Sequence, residues 1–269
     1  MNIRKFFSSI ARRMLYNRLV YKIYEKILWY QIKDGRKPDH IGVILDGNRR
    51  WAGEHLMSRW MGHKYGADKV EELLDWCLGL DVKTITLYAF STENFERSSN
   101  EVNEIFNLID ERLKKFLSDE RVHKNRVQTK VIGRINLLPK STQDLVRLVE
   151  EKTKGYDKHY LNVAVAYGGR AEIIDATKKI AEKVKAGELN VEEINEKTVE
   201  ENLYTSHLPN SDPDLIIRTS GEERLSGFLL WQSAYSELYF MDVYWPEFRR
   251  IDLWRAIRTY QKRERRYGA

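Results

Sequence analysis

The sequence predicts an α/β fold with a central, mostly parallel sheet of six strands flanked by helices. Short apolar runs alternate with amphipathic stretches along most of the 269 residues, which is typical of parallel sheets with helical crossovers. The apolar fraction of 42% suffices for one large domain and excludes wholesale disorder. Because no internal repeat or long linker interrupts the pattern, we expect a single domain over residues 39–269 behind an extension over residues 1–38.

The N-terminal extension is basic and amphipathic. Residues 1–38 contain ten Lys or Arg and two Asp or Glu, and apolar side chains recur at three- and four-residue steps between residues 3 and 33. The segment 34–38 then ends the helical pattern with a glycine and a proline. Such a helix either lies on an anionic membrane surface through residues 1–33 or packs against the body or a partner subunit. The sequence leaves both interpretations open.

Six strands and six helices are predicted beyond this extension. The strand candidates are Ile41–Leu45, Thr84–Phe90, Val127–Ile132, Leu161–Ala166, Leu215–Arg218 and Leu238–Val243. The helix candidates lie at about residues 64–78, 101–118, 141–154, 170–186, 192–203 and 249–266.

Positive charge is concentrated at the two ends of the chain. Residues 249–269 hold eight basic and two acidic residues, whereas residues 39–248 hold 28 basic and 36 acidic residues. An acidic body with basic ends differs from a nucleic-acid-binding surface, so we expect no nucleic-acid partner. Neither a membrane-spanning run nor a signal peptide is evident, and Cys77 alone cannot form a disulfide framework. We expect a cytoplasmic protein, peripheral at the inner membrane face if the extension binds there.

Polar groups just after apolar runs are the places to seek chemistry, because ligands of parallel sheets collect at the carboxyl ends of strands. The first group follows the first strand candidate. Its glycine allows close backbone approach, its amides and arginines suit an anion, and its aspartate is a hard ligand for Mg²⁺. A capped turn is the alternative. The residues are Asp46, Gly47, Asn48, Arg49, Arg50 and Trp51, with Arg59 and His63 shortly after.

The second polar group follows Thr84–Phe90. It offers two hydroxyls, an amide and an arginine, but Ser or Thr ahead of Glu also starts helices well, so a helix cap is the competing interpretation. Its residues are Ser91, Thr92, Glu93, Asn94, Phe95, Glu96 and Arg97.

The third polar group follows Leu215–Ile217 and carries two arginines in a loop that contains Gly and Ser. Arg218 and Arg224 are six residues apart, as suits a second polyanion, and Leu225 and Ser226 follow them. Further along, Glu237 stands in an apolar stretch where an unpaired carboxylate is costly, so it is either a metal ligand or half of a buried salt bridge.

Taken together, the polar groups predict two phosphate-bearing ligands and a divalent ion at one sheet edge. Five arginines lie in or beside loops that follow strands, where Asp46 and Glu237 are also expected. Neither a Walker sequence nor a Gly-x-Gly-x-x-Gly sequence is present, which argues against the ordinary nucleotide-binding classes. The arginines are Arg50, Arg59, Arg97, Arg218 and Arg224.

In order along the chain, these motifs resemble the cis-prenyltransferases, the undecaprenyl diphosphate synthase family. The resemblance spans roughly residues 38–268. Arg49, where many bacterial members have Gly, and the long front extension are similar to archaeal-type members. The matching segments are His40–Trp51, Gly62–Lys64, Leu87–Asn94, Ala166–Arg170, Asp214–Glu222, Phe228–Gln232, Glu237–Phe240 and Arg263–Gly268.

The resemblance implies a homodimeric enzyme that uses Mg²⁺ to condense isopentenyl diphosphate repeatedly onto an allylic diphosphate, forming cis double bonds. It implies that Asp46 is the metal-linked aspartate, that Glu237 is a second metal-associated carboxylate and that Asn94 assists proton removal. The segment ending in Gly268 corresponds to a tail that reaches the partner's site. The implied allylic subsite contains Gly47, Asn48, Arg49, Arg50, Arg59 and Arg97, and the implied isopentenyl subsite contains Arg218, Arg224 and Ser226. Trp51, His63, Ser91, Thr92, Glu93, Phe95 and Leu225 complete the predicted substrate-binding set.

A growing hydrocarbon chain needs an apolar tunnel, and the segment Glu101–Arg126 is expected to form its wall. Plain core packing explains the same side chains equally well. Farnesyl and geranylgeranyl diphosphate both stay open as starters, and we expect a long, undecaprenyl-type product of glycosyl-carrier size. A non-catalytic partner subunit of an active synthase is the alternative function. The tunnel candidates are Leu87, Phe90, Ile105, Phe106, Ile109, Leu113 and Val131.

Overall fold

The computed structural model describes residues 18–263, which divide into two compact units. One unit runs from Pro38 to Glu247 and contains the whole sheet. The other combines the described residues before Pro38 with those from Phe248 onward.

The larger unit is built around a six-stranded sheet, which confirms the predicted fold class. Its strands are β1 (His40–Ile44), β2 (Thr84–Ser91), β3 (Val127–Ile132), β4 (His159–Tyr167), β5 (Leu215–Arg218) and β6 (Glu237–Phe240). They are ordered β3-β4-β2-β1-β5-β6, and all five neighbouring pairs are parallel. β1 is buried at every residue because it lies at the centre of a sheet whose two faces are both covered, which explains why its sequence is an unbroken apolar run after His40.

Nine α-helices are found among residues 18–263. They are α1 (Arg18–Ile32), α2 (Asn48–Glu54), α3 (Arg59–Gly79), α4 (Ser99–Leu117), α5 (Glu120–Lys124), α6 (Lys140–Thr153), α7 (Gly169–Lys185), α8 (Glu196–Glu200) and α9 (Arg250–Lys262). Sequence periodicity missed α2 and α5, which are too short to show it. The continuous helix predicted over residues 192–203 was wrong: Asn190 and Asn195 each cap a separate short turn, so only five residues become α-helical.

The two faces of the sheet carry different clusters. On one face, α4 and α6 pack against the sheet through a cluster that includes Phe90, Phe106 and Val149. On the other face, Phe228 and Leu229 pack against the strands. A β-bulge between Tyr88 and Phe90 shifts the end of β2, so Leu87 and Phe90 both face the helical side although they are three residues apart.

The amino edge of the sheet holds a buried network of neutral polar groups. His40 Nε2 lies 2.8 Å from Thr86 Oγ1, and the Asn162 amide donates to the same hydroxyl at 3.2 Å. His207 Nε2 in turn lies 2.9 Å from Asn162 Oδ1. Burial lowers the pKa of His40 to about 4, so this ring is neutral at pH 7.

Asp214 joins the strands at the same edge. Its Oδ2 accepts hydrogen bonds from the backbone N–H groups of Asp39 at 2.7 Å and His40 at 3.1 Å. The backbone N–H of Asp214 donates to the His40 carbonyl at 2.9 Å. These bonds fix the register with which β5 begins beside β1.

The smaller unit pairs α1 with α9. Trp29 and Trp254 have ring centroids 5.5 Å apart, and Glu25 pairs with Arg250 at 3.2 Å. Of the helix predicted over residues 3–33, residues 18–32 are helical and residues 3–17 lie outside the described residues. Among the helices described, none is long and apolar enough to cross a membrane.

One face of α1 is apolar and exposed. Its side chains occupy positions 19, 23, 27 and 30, which follow each other at helical spacing and have exposed fractions between 48% and 65%. They are Leu19, Ile23, Ile27 and Tyr30. Leu28 and Ile32 are fully buried, so α1 carries an apolar face on each side.

Candidate active site

Asp46 lies just beyond the carboxyl end of β1, and the loop after β5 holds it in place. Its backbone N–H donates to Thr219 Oγ1 at 3.1 Å, and the Thr219 hydroxyl donates to the Asp46 carbonyl at 2.7 Å. The next residue, Gly47, has φ of +106°, and a Cβ there would stand 2.7 Å from the Tyr244 ring. Glycine is therefore required for the turn that presents the Asp46 side chain.

Two arginines surround the Asp46 carboxylate. Arg218 donates from Nη2 to Oδ2 at 2.8 Å, and Arg50 Nη2 lies 3.4 Å from Oδ1. Burial alone would raise the pKa of Asp46, but Arg218, Ser220 and Arg50 together hold that pKa below its ordinary value. Asp46 is thus a carboxylate throughout the neutral range.

The loop after β5 gathers the residues predicted for the isopentenyl subsite. Arg218 is buried, and its Nη1 donates to Ser226 Oγ at 2.8 Å and to the carbonyl of Arg224. The Arg224 side chain is 64% exposed and pairs with Glu222 at 2.6 Å. Arg50 reaches into the same loop, where it donates to Ser220 Oγ at 2.5 Å.

A surface depression of about 420 Å³ brings together all six residues predicted for the allylic subsite. Four arginines and one histidine border it beside Asp46, so the depression suits a group with several negative charges. Its lining is Leu45, Asp46, Gly47, Asn48, Arg49, Arg50, Arg59, His63 and Arg97.

Glu101 organises the cationic side of this depression, and sequence reasoning missed it. Its side chain is only 5% exposed and lies within 3.6 Å of Arg49, 3.4 Å of Arg59, 3.3 Å of His63 and 3.1 Å of Arg97. One carboxylate therefore serves three guanidinium groups and an imidazole. The available signal was its spacing of four residues after Arg97, near the capped start of α4.

Charges within this cluster shift the proton affinities of its members. Burial alone would raise the pKa of Glu101, but His63 and the arginines hold that pKa below its ordinary value. Burial lowers the pKa of His63 despite the neighbouring Glu101. A neutral His63 donates its Nε2 proton to Glu101, which leaves the three arginines with an excess positive charge.

The segment between β2 and α4 is capped, as the competing interpretation expected. Asn94 Oδ1 accepts the Ser91 backbone N–H at 3.1 Å, and this reciprocal cap begins a short 3-10 turn over Thr92–Glu96. Phe95 packs edge-on against Phe90 at 5.0 Å. Of this group only Arg97 lines the depression, whereas Ser91, Thr92, Glu93, Asn94 and Phe95 do not.

Trp51 and Leu225 also lie away from the depression. Trp51 is buried, stacks on His55 at 4.3 Å and donates to Glu247 at 3.2 Å. Leu225 packs against the cluster beneath the sheet that contains Phe228. Both side chains support the loops that carry the charged groups.

Glu237 lies at the opposite edge of the sheet from Asp46, which corrects the expectation that the two share one edge. Glu237 is the first residue of β6 and pairs in register with Leu215, the first residue of β5. Asp46 follows the last residue of β1. Because these strands are parallel, a strand length separates the two carboxylates within one copy of the chain.

The donor set fits a magnesium ion that the substrate helps to hold. No group of three or more His, Cys, Asp or Glu side chains suited to a metal is assembled within residues 18–263. Mg²⁺ commonly takes one or two carboxylates together with substrate phosphates and water. Asp46, an ionised carboxylate at the rim of a cationic depression, has the chemistry of such a ligand.

An apolar cavity of about 240 Å³ adjoins the depression and runs between α3, α4 and the sheet. Both spaces are lined by Leu45, Asn48 and His63, so the cavity opens beside the charged groups. Four of the seven tunnel candidates line it, namely Leu87, Ile105, Ile109 and Leu113. The other three, Phe90, Phe106 and Val131, do not line it and belong to the cluster under α6, which also includes Ile105 and Leu113.

Comparisons with known proteins agree with this geometry. The family model described as "Putative undecaprenyl diphosphate synthase" matches residues 44–268. The chain is 56% identical to a tritrans,polycis-undecaprenyl-diphosphate synthase (geranylgeranyl-diphosphate specific) of Methanopyrus kandleri, over 93% of this chain and 91% of that protein. It is 53% identical to a protein of the same description from Methanocaldococcus jannaschii, over 95% and 91% of the two chains.

Solved structures give the same answer for the fold. The crystal structure of lavandulyl diphosphate synthase from Lavandula x intermedia, in complex with dimethylallyl diphosphate, superposes with a TM-score of 0.83 at 35% identity. It covers 87% of this chain and 99% of that one. A probable undecaprenyl diphosphate synthase from Campylobacter jejuni gives a TM-score of 0.71 at 35% identity, with 87% and 100% covered. The chain is therefore a prenyl-transferring enzyme that belongs to the undecaprenyl diphosphate synthase family, the cis-prenyltransferases.

Proposed function

We propose that this enzyme adds successive isopentenyl diphosphate units to geranylgeranyl diphosphate and makes a long polycis-polyprenyl diphosphate. The observation that carries the proposal is the junction of the cationic depression with the apolar cavity, which share Leu45, Asn48 and His63. A molecule with a diphosphate head and a hydrocarbon tail fits across that junction. The charged groups hold the head, and the cavity takes the tail.

The two substrates occupy neighbouring cationic sites in this proposal. The allylic diphosphate binds in the depression beside Arg49, Arg59 and Arg97, where Glu101 leaves an excess of positive charge. Isopentenyl diphosphate binds against the loop after β5, near Arg224 and Ser226. Asp46 stands between the two sites because Arg218 and Arg50 both contact it.

The reaction breaks the allylic C1–O bond and forms a bond between that carbon and C4 of isopentenyl diphosphate. Negative charge develops on the departing diphosphate, and arginines fixed beside it stabilise that charge without reorganising. A proton then leaves C2 of the isopentenyl unit, which forms the new cis double bond. Asn94 assists by orienting a diphosphate oxygen or water, since a neutral amide whose Oδ1 already accepts a hydrogen bond is not a base.

Magnesium is the cofactor we propose. Asp46 is the residue that would hold it, together with diphosphate oxygens. When bound, Mg²⁺ supplies further stabilisation of the charge on the leaving diphosphate. Glu237 is proposed as a second metal-associated carboxylate, which within a single copy of the chain is too far from Asp46 to act on the same ion.

The descriptions of the relatives support a particular starter and product. The two archaeal relatives are described as geranylgeranyl-diphosphate specific and as tritrans,polycis synthases. An all-trans geranylgeranyl starter contributes three trans double bonds, and each added unit contributes a cis one. We therefore favour geranylgeranyl over farnesyl diphosphate, with an undecaprenyl-type product that serves as precursor of a glycosyl carrier lipid.

The proposed assembly is a homodimer at the cytoplasmic side of the membrane. The tail that ends in Gly268, which lies outside the described residues, is proposed to reach the partner's site. The exposed apolar face of α1, with Lys26 and Lys33 close to Tyr30, is proposed to contact the membrane, where the product's tail is soluble.

Labelled isopentenyl diphosphate and Mg²⁺ test the proposal when incubated separately with dimethylallyl, geranyl, farnesyl and geranylgeranyl diphosphate. The products are dephosphorylated and sized by chromatography. We expect the highest turnover with the geranylgeranyl starter and a ladder that ends at long chains. Equal turnover with farnesyl diphosphate would reject the starter assignment, and the absence of any product would reject the proposed reaction.

A further inference from the structure

The far end of the apolar cavity is bordered by charged side chains. α3 and α4 run side by side in the same direction, since His63 meets Glu101 near their starts and Glu71 meets Arg112 toward their ends. Eleven residues separate Glu101 from Arg112, which corresponds to about 16 Å along α4. The cavity therefore has a phosphate-binding end and, one tunnel length away, an end where α3 is joined to α4 by ion pairs.

These ion pairs follow one another along α3, and we name them together the ionic seam. Arg112 contacts Glu71 and Asp68, each at 2.6 Å, and Lys115 contacts Glu71 at 2.7 Å. Arg121 of α5 contacts Asp75 of α3 at 2.7 Å. The seam consists of Asp68, Glu71, Asp75, Arg112, Lys115 and Arg121, and all of these except Asp68 line the cavity.

The cavity as it stands is too small for the substrates of the proposed reaction. A dry apolar cavity of about 150 Å³ accommodates one benzene molecule, so 240 Å³ holds on the order of ten carbon atoms. A geranylgeranyl chain has twice that number and the product has several times more. The walls must therefore part during elongation, because the tail cannot pass through packed side chains.

The seam is the weakest part of the wall. The sheet side of the cavity is made of hydrogen-bonded strands, and the other side of α4 packs against the apolar cluster that contains Phe106. In contrast, the seam holds α3 and α4 together by partly exposed pairs between flexible side chains, which are individually weak. A lengthening tail therefore presses α3 and α4 apart at the seam.

The seam also presents a chemical barrier to the tail. Arg112 lines the cavity, and its Nε is buried without a hydrogen-bond partner among the described residues. A hydrocarbon chain that advances past Arg112 must displace charged groups from their partners and offers them nothing in return. Elongation becomes unfavourable at that point unless the pairs separate.

On this basis we propose that the ionic seam limits the length of the product. The inference rests on the proposed function, because it concerns the tail of the polyprenyl chain made at the same site. Intact pairs resist the parting of α3 from α4, so each addition costs more as the lengthening tail holds the helices further apart, and growth stops when that cost becomes too high. Loss of the pairs lets the helices separate and allows further additions.

Glu71→Gln tests the seam, and Glu72→Gln is its matched control. Glu71 joins α3 to α4 through Arg112 and Lys115, whereas its neighbour Glu72 pairs with Lys69 of its own helix. Products from geranylgeranyl diphosphate are sized for both variants. We expect Glu71→Gln to shift the main product upward by at least one isoprene unit and Glu72→Gln to give the parent ladder.

Salt provides a second test on the unmodified protein, which decides the matter if Glu71→Gln does not fold. Ionic strength weakens partly exposed pairs, so raising KCl from about 0.05 to 0.5 M should lengthen the parent's products. The same titration should shift the product ladder of Glu71→Gln less than it shifts the ladder of the parent. A ladder that is insensitive both to Glu71→Gln and to salt, or that shortens in either case, overturns the inference. The proposed function still stands if the parent makes polyprenyl product, and both fall if it makes none.

Discussion

The two edges of the parallel sheet differ sharply in how they treat polar groups. At the carboxyl edge, Asp46, Arg50 and Arg97 are partly exposed and keep their charges around an open depression. At the amino edge, His40 is fully buried and neutral, and its network ends in other neutral groups. One edge is arranged to meet an anion, and the other is arranged to hold strands in register. We therefore expect substitutions at the two edges to separate activity from stability.

The largest expected effect is at the carboxyl edge. Asp46→Ala removes the carboxylate between the two substrate sites and the proposed Mg²⁺ ligand, so turnover should fall by about a thousandfold, which corresponds to several kcal/mol of barrier. The thermal midpoint should stay within a few degrees of the parent because Asp46 is held by backbone contacts to Thr219. Steady-state kinetics measure the loss. Turnover within about threefold of the parent in a folded variant would contradict the assignment of Asp46 to the active site.

Two arginine substitutions distinguish the two proposed substrate sites at the carboxyl edge. Arg97→Ala should raise the KM for the allylic substrate, and Arg224→Ala should raise the KM for isopentenyl diphosphate, each by roughly tenfold to a hundredfold. Arg224 is the cleaner choice in its loop because Arg218 also contacts Asp46 and would lower kcat. Two-substrate kinetics distinguish the sites. If each variant affects the other substrate instead, the two subsites have been exchanged.

Substitutions in the apolar cavity should change the length of the product and should change turnover only slightly. Ile109→Trp adds bulk to a side chain that lines the cavity, so the main product should become shorter. Phe106→Ala is the matched comparison, because Phe106 packs with Phe90 in the cluster under α6 and does not line the cavity. It should lower stability by about 3–5 kcal/mol and leave the product length unchanged. An unchanged ladder for Ile109→Trp would assign α4 to core packing alone.

The amino edge should control stability against pH and leave turnover at pH 7 unchanged. The pKa of His40 is about 4 in the folded protein and about 6.5 when unfolded, so the unfolded state binds the extra proton between these values. Stability is therefore lost as pH falls from 6.5 toward 4, by about 2 kcal/mol between pH 7 and pH 4.5. Urea unfolding of the parent and of His40→Gln at both pH values measures the difference. Equal pH dependence in the two proteins would contradict this role for His40.

The smallest effect on chemistry is expected from the exposed face of α1. Replacing Leu19, Ile23 and Ile27 by Ser should reduce binding to vesicles that contain anionic lipid and change turnover in detergent by less than twofold. A triple Ser variant is a better test than deletion of residues 1–33, because Leu28 and Ile32 are buried and their loss would expose apolar surface. Vesicle co-sedimentation gives the measurement. Unchanged binding would favour a protein partner for this face.

The sequence predicted local elements better than contacts between segments that are far apart in the chain. Val127–Ile132 and Leu215–Arg218 were predicted to the residue. The second is an apolar run that is buried throughout, and in the first, buried and half-buried side chains alternate over the first four residues. The short α2 and α5 were not predicted, since five to seven residues show no periodicity. Motif order along the chain identified Asp46, Arg97 and Arg218, which the fold then brings to one edge.

What the sequence could not supply was the set of contacts between distant segments. Glu101 is four residues from Arg97, but its contacts with Arg49, Arg59 and His63 depend on how α3 packs beside α4. Glu237 reads like a partner for Asp46, although the strand register sends it to the opposite edge. The bulge in β2 likewise decided that Phe90 joins the core. Each outcome is set by three-dimensional register, which one-dimensional spacing does not encode.

The pairing of β1 with β5 has a consequence for how the chain folds while it is being synthesised. The backbone N–H of His40 bonds to Asp214, 174 residues later in the chain. While the ribosome is still producing the intervening residues, β1 can pair only with β2, and its other edge carries unpaired N–H and C=O groups. Such long-range pairing is slow to form and exposes a strand edge to association meanwhile. We expect the nascent chain to be held by chaperones until residues 215–218 have emerged and completed the centre of the sheet.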